Sequence, residues 1–266
     1  LSELQSSNEI IKRSQQNSHV IYDVFLMGSN KVHPYHKGDI HGLISDIPVA
    51  LVNCIEKANT LSSDIDTVIA EVTQDFIDRH VPVLWKIWPL GEPHHLSKCL
   101  EHYGYINAGI ELAMSCDLTA IEDMDEAQAP LAIEKMSNDI HQQHFKDIFQ
   151  KANGTDPLLA QFFVDLLATN TSSTLETYIG YAGSQHVTTL SVLYAHGVAG
   201  IYNIGTPASQ ARKGYATAIT RFAMQQAKAK GYRYATLQST PIGYNLYQRL
   251  GFQSHGEVQQ YIYEPE

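Results

Sequence analysis

No acidic residue occurs between Glu176 and Glu257, a gap of 80 residues in a chain of 266 that carries 28 Asp and Glu against 18 Lys and Arg. The same interval holds Arg212, Lys213, Arg221, Lys228, Lys230, Arg233 and Arg249. Positive charge gathered this way on an acidic protein suits a small anionic ligand. A nucleic-acid partner is not expected, because the net charge of −10 would repel it and no basic–aromatic stripe is present. Cysteine is scarce as well. Cys54, Cys99 and Cys116 have no CxxC spacing and cannot all pair, which argues for a reduced, cytoplasmic setting. No apolar run approaches the roughly 20 residues of a membrane span, so no membrane partner is expected either. The opening LSELQSSNEIIKRSQQNSHV is polar, lacks the apolar core of a signal peptide, and has no initiator Met, as for a chain that starts earlier in nature.

What is present is an ordinary globular composition, 44% hydrophobic and 17% charged, able to bury one large core or two smaller ones. Charge is uneven along it. Residues 1–118 hold 8 Lys and Arg against 15 Asp and Glu, and residues 119–266 hold 10 against 13. An acidic first half suits a cationic ligand, with a solvated acidic face as the plainer alternative.

The stretch QARKGYATAITRF (210–222) sets Arg212, Lys213 and Gly214 ahead of a helical pattern. Cations at a helix start oppose the dipole unless an anion binds there. The first helical N–H groups lack partners, and Gly214 would let a phosphate approach them closely. Around this stretch the pattern predicts strands over 175–183, 187–195 and 198–205, with a turn at AHG. A helix over 215–230, a strand over 232–239 and a short helix in PIGYNLYQRL follow. GFQSHGEVQQYIYEP reads as a closing hairpin.

In this order, RKGYA, helix, strand and YNLYQRLGF resemble the GNAT superfamily of acetyl-CoA-dependent N-acetyltransferases, over about residues 119–266. The family's loop has the pattern Arg/Gln-x-x-Gly-x-Gly/Ala, against Ala211-Arg212-Lys213-Gly214-Tyr215-Ala216 here. The glycine and the small last residue agree; Ala211 departs from the pattern and loses a side-chain contact. Tyr247-x-x-x-Gly251-Phe252 agrees in full. The resemblance implies an α+β fold, a twisted and mostly antiparallel sheet flanked by helices. It implies acetyl-CoA as cosubstrate, no metal, and an amine acceptor that is a small molecule or a peptide. The amides of residues 211–216 would hold the pyrophosphate. Ile204, Gly205 and Thr206 would pair with the pantetheine arm and direct the thioester carbonyl. Tyr247 would be the general acid for the leaving thiolate.

An internal repeat extends this reading. KCLEHYGYINAGIELAM (98–114) echoes NLYQRLGFQSHGEVQQY (245–261), with Gly104 matching Gly251 and Gly109 matching Gly256 at an offset of 147. IDTVIAEVTQDFIDRH reads as a helix and VPVLWKIWP as a strand, and PVALVNCI (48–55) stands where VAGIYNIG stands. Residues 1–118 are therefore expected to form a degenerate GNAT-like domain, and 119–266 the acetyl-CoA-binding domain. The first has no glycine loop, and Leu100 stands in the place of Tyr247, so it should bind no cofactor and should instead wall off the acceptor site.

The general base is left open among Glu176, His196 and a water chain. His141 and His144 lie one helical turn apart, a spacing for metal, acceptor contact or plain solvation. No cysteine lies in the motifs, which favours direct transfer over an acyl-enzyme. The leading expectation is transfer of an acetyl group to a primary amine; the alternative is a non-catalytic acyl-CoA-binding regulatory module. A nucleotide-binding loop is disfavoured, because Gly-Lys-Ser/Thr is missing.

Overall fold

The computed structural model describes residues 2–58, 65–91, 93–121, 130–169 and 173–265. The chain opens with a long helix, α1 (Ser2–Gly28), and a hairpin, β1 (Val32–Lys37) and β2 (Ile40–Ser45). Next come β3 (Cys54–Ala58), α2 (Ile65–Ile77), β4 (Val83–Ile87), α3 (Leu96–His102) and β5 (Ile106–Asp117). The second half contributes β6 (Ala132–Lys135), α4 (Asp139–Asn153), α5 (Pro157–Thr169), β7 (Leu175–Ala182), β8 (Gln185–Ala195) and β9 (Val198–Gly205). It ends with α6 (Tyr215–Ala229), β10 (Tyr234–Ser239), α7 (Tyr244–Arg249) and β11 (Gln253–Tyr263).

The described strands join one 11-stranded sheet in the order β1-β2-β3-β4-β11-β5-β10-β9-β8-β7-β6. Its neighbours are antiparallel except β3 with β4 and β9 with β10, so the fold is the mostly antiparallel α+β arrangement expected. The halves interlock at the centre. Residues 112–117 of β5 pair with β10, while residues 259–263 of β11 pair with β4, and the two long strands pair with each other between. Each half's last strand thus runs on into the sheet of the other.

This exchange corrects the expected closing hairpin. Gly256, at φ 136°, makes a bulge where the register jumps between Ser254 and Glu257, and the strand continues past it. The neighbour that a hairpin would have supplied is β5. PVALVNCI is also shifted from its expected place: Ala50–Val52 form a 3-10 turn and the strand starts at Cys54. Asn53 imposes the turn, its amide donating to the carbonyls of Ile47 (2.6 Å) and Val49 (3.0 Å).

The buried face of helix α1 is mixed: Ile10, Ile11, Tyr22 and Val24 are buried, and so are Ser14, Asn17 and Ser18 between them, which interrupts the hydrophobic periodicity. It packs on α5, β8 and β9, and also touches β1 and β5, which ties the start of the chain to the second half. The Asn17 amide donates to the carbonyls of Leu193 (3.0 Å), Ala195 (3.0 Å) and Val198 (3.3 Å), and its oxygen accepts from the Tyr202 hydroxyl at 2.7 Å. On the opposite sheet face α6 buries Ile219, Ala223, Met224 and Ala227 against Leu190, Val192, Met114 and Leu237.

Candidate active site

Strands β9 and β10 stay together only for Val198–Tyr234, Ala199–Ala235 and Gly200–Thr236. Beyond Gly200, β9 follows β8 while β10 follows β5, and a wedge opens between residues 201–205 and 237–239. The divergence has a local cause. Asn203 adopts φ 52°, and the β8–β9 register jumps from Ser191–Tyr202 to Thr189–Gly205. Threonines fix the bulge: Thr189 donates to the Asn203 carbonyl and Thr188 to the Gly205 carbonyl, each at 2.9 Å.

A cavity of about 380 Å³ fills the wedge. Ile201–Ile204 and Leu237–Thr240 form two walls, and Tyr247 closes the end from α7. Ser18 and Tyr22 of α1, Leu51, Lys86 and Glu111, and Phe149 and Asn153 of α4 with Phe163 and Leu167 of α5 line the rest. Of the residues expected here, the cavity brings together Ile204 and Tyr247. Gly205 turns toward Thr189 and Ala152, and the Thr206 hydroxyl lies 2.9 Å from that of Thr188. The Tyr247 ring packs edge-on to Phe252 with centroids 5.9 Å apart, and burial raises its pKa to about 12. Such a phenol is protonated throughout the neutral range and has a proton to give.

The loop from Ala211 to Ala216 lies outside this cavity, at the start of α6. Gln210 and Ala211 donate to Pro207 and Ala208, and the helical ladder starts with Ala218 donating to Gly214. Between them, the N–H groups of residues 212–217 make no hydrogen bond to another described backbone group. Gly214 is the N-cap at φ 82° and brings no capping side chain. Arg212 and Lys213 are exposed and form no ion pair among the described residues, although Lys213 donates to the Gln210 side chain at 2.8 Å. A helix start with bare amides, no cap and two adjacent cations is what a diphosphate fits.

The rest of the acid-free interval does not form one cationic surface. Lys230 lies 3.5 Å from Glu176 and Arg233 lies 3.0 Å from Asp117, both acids outside the interval. Glu176 does not reach the cavity. It is buried against Lys135 (2.9 Å) and accepts from Tyr178 (2.9 Å). Burial raises its pKa, but the Lys135 and Tyr178 hydrogen bonds and the charges of Lys135 and Lys230 outweigh that, and the net shift is downward. His196 sits in the exposed β8–β9 turn at φ 52°. His141 pairs with Glu134 at 3.1 Å, and His144 stacks on His186 with ring centroids 4.3 Å apart. Among the described residues no group of three His, Cys, Asp or Glu side chains is placed to hold a metal.

The first half diverges at the equivalent place and is stapled there. Only Cys54–Leu84 and Ile55–Trp85 pair between β3 and β4. Beyond them Lys86 lies 3.3 Å from Glu56 and donates to the Tyr22 hydroxyl at 2.8 Å. Burial opposes the Lys86 charge, but Glu56 and then Glu111 outweigh it and hold the ammonium protonated. Leu100 is fully buried. A larger cavity of about 810 Å³ lies elsewhere, beside Asp117, Arg233, Arg249 and His255, and none of the expected site residues lines it.

Residues 173–254 match the family model described as an acetyltransferase (GNAT) domain. Among solved structures, the chain is similar to a GCN5-related N-acetyltransferase from Kribbella flavida, with 16% identity over 95% of both chains and a TM-score of 0.69. It is also similar to a functionally unknown conserved protein from Staphylococcus epidermidis, with 11% identity over 87% of this chain and 93% of that one (TM-score 0.67). A tandem GNAT protein from the clavulanic acid biosynthesis pathway matches 97% of this chain and 95% of its own, with 9% identity and a TM-score of 0.62. No curated protein matches the sequence. The chain has the GNAT fold: the match to the acetyltransferase (GNAT) domain model spans residues 173–254, and the structural likeness extends over the half before it. No described helix is long and apolar enough to cross a membrane.

Proposed function

We propose that the protein is an N-acetyltransferase that moves an acetyl group from acetyl-CoA directly to a primary amine. The observation that carries this reading is the wedge between β9 and β10, which opens beside the uncapped start of α6 and closes on Tyr247. The amides of residues 212–216 would bind the pyrophosphate, with Arg212 and Lys213 adding charge, whereas the expected Ala211 amide is already taken by the Ala208 carbonyl. The pantetheine arm would then lie along Ile204, Gly205 and Thr206, where main-chain N–H groups can polarise the thioester carbonyl. The neutral amine attacks that carbon, the C–S bond breaks, the departing sulfur takes the proton of the Tyr247 hydroxyl, and the proton shed by the amine nitrogen returns through water to restore the phenol.

In this reading residues 119–266 are the acetyl-CoA-binding domain and residues 1–118 wall the acceptor side without a cosubstrate of their own. The Glu56–Lys86 pair across the β3–β4 divergence, Tyr22 and the buried Leu100 support that division. The three cysteines lie outside the wedge cavity, in keeping with direct transfer in a cytoplasmic protein.

Thiol release from acetyl-CoA with a panel of primary amines tests the reading. Wild type should turn over, and Tyr247→Phe should lose roughly 10²–10⁴ in kcat while still binding CoA. Tight CoA binding with no turnover on any amine would favour the non-catalytic acyl-CoA-binding module instead.

A further inference from the structure

We infer that Glu111, carried across from the first half, is the acceptor-binding residue and selects amines that are cations in solution. The inference rests on the acetyl-transfer reading and names the substrate class for that site. Among the described residues that line the wedge cavity, Glu111 is the only carboxylate and Lys86 the only cation. Lys86 feels two carboxylates, Glu56 first and Glu111 second, so the three charges together sum to −1. Lys86 is already paired with Glu56 at 3.3 Å, behind the wall, and its ammonium donates to Tyr22. Glu111 takes part in no ion pair or hydrogen bond among the described residues, and it is only partly buried. One negative charge is therefore left over in the cavity that holds Tyr247.

Strand geometry aims it there. Side chains alternate along β5: Met114 and Cys116 enter the core under α6, whereas Ala113 packs with Ile11 of α1 on the other face. Glu111 shares the face of Ala113, on which Ser18 and Tyr22 of α1 also meet the cavity. A carboxylate with no hydrogen bond or close ion pair of its own, in a partly closed cavity, draws in a cation and hydrogen-bonds it. An uncharged amine gains little from it.

The full chain is tested with cadaverine, a dication, and with aniline, which is uncharged at neutral pH, both by thiol release from acetyl-CoA and by calorimetry. Glu111→Gln keeps the shape and removes the charge. It should raise KM for cadaverine roughly 10–100-fold, as loss of a charge-assisted hydrogen bond does, while leaving aniline turnover within about twofold. Glu111→Asp should recover part of the cadaverine effect. Unchanged CoA binding in each variant serves as the check on folding. Equal losses for both amines, or cadaverine binding unchanged in Glu111→Gln, would overturn the inference and leave the acetyltransferase reading standing. If wild type neither binds CoA nor releases thiol, that reading falls. Cadaverine heat alone then decides: dependence on Glu111 upholds the cation site, and its absence removes it.

Discussion

Glu111 and Val258 face each other in register between β5 and β11, and they stand 147 residues apart, the offset that also relates Gly104 to Gly251 and Gly109 to Gly256. Two residues that are each other's counterparts in a repeat, and also each other's partners across strands, lie on the axis relating the halves. The glycines flank that axis: Gly109 at φ 119° and Gly256 at φ 136° each sit where a long strand kinks. The symmetry stops at the side chains. Val258 is fully buried with Ile11, Trp88 and Ala113, whereas Glu111 lines the wedge cavity.

This asymmetry predicts opposite outcomes for reciprocal substitutions. Val258→Glu buries an unpaired carboxylate and should cost about 3 kcal/mol or more, read as a fall in the urea midpoint. Glu111→Val removes a carboxylate that makes no ion pair or hydrogen bond among the described residues and only supports the Lys86 charge from a distance, so it should cost far less, about 0.5–1 kcal/mol. Comparable losses from both would mean that the two positions are equally structural.

Asn17 is the polar clasp between α1 and the second half, satisfying three carbonyls and the Tyr202 hydroxyl. Asn17→Ala should destabilise by about 2–3 kcal/mol, since it leaves buried acceptors unpaired. Gly200→Ala should be as damaging, because a Cβ there would stand 2.0 Å from the Asn17 side-chain oxygen. Denaturant unfolding of the two variants and of the double variant checks this, and the combined loss should fall short of the sum.

Glu176 is an acid-sensitive contact. Its folded-state pKa is depressed, so the stability it gives is present above the unfolded carboxylate range and drains away as pH falls through the folded value. Glu176→Gln should cost about 1–3 kcal/mol near neutral pH, and its difference from wild type should shrink on acidification. Urea melts near neutrality and at about pH 3 measure this. A gap that widens at low pH would contradict it.

Gly214 occupies a left-handed backbone position at the helix start. Gly214→Val places a branched side chain where φ is +82° and where a phosphate would approach, so it should strain the loop by about 1–2 kcal/mol. CoA affinity should fall by more than that strain explains, and a melt run with and without CoA separates the two effects. Loss of stability with unchanged CoA protection would move the ligand elsewhere.

The second half was largely legible in its sequence because its signals are local. The alternation in 175–205, the helical face of Ile219, Ala223 and Ala227, and the glycines at 197, 214 and 251 each fix their own element. What escaped depends on distant partners. Gly256 looks like a turn until β5 is there to pair beyond it. Helix α1 breaks its apolar positions Ile10, Ile11, Tyr22 and Val24 with Ser14, Asn17 and Ser18, which are buried because Asn17 satisfies backbone carbonyls of the second half. Glu111 lay inside the repeat, opposite Val258 in the alignment, and a charge set against a valine was the available signal. Only the strand exchange turns that difference into a position in the wedge.

The account's central claim is that the uncapped start of α6 and the β9–β10 wedge together hold CoA, and calorimetric titration of the full chain with CoA tests it most directly. The prediction is saturable binding of one CoA per chain, sharply weakened in Gly214→Val and retained in Tyr247→Phe. Absence of heat with wild type, or equal binding by Gly214→Val, would contradict it.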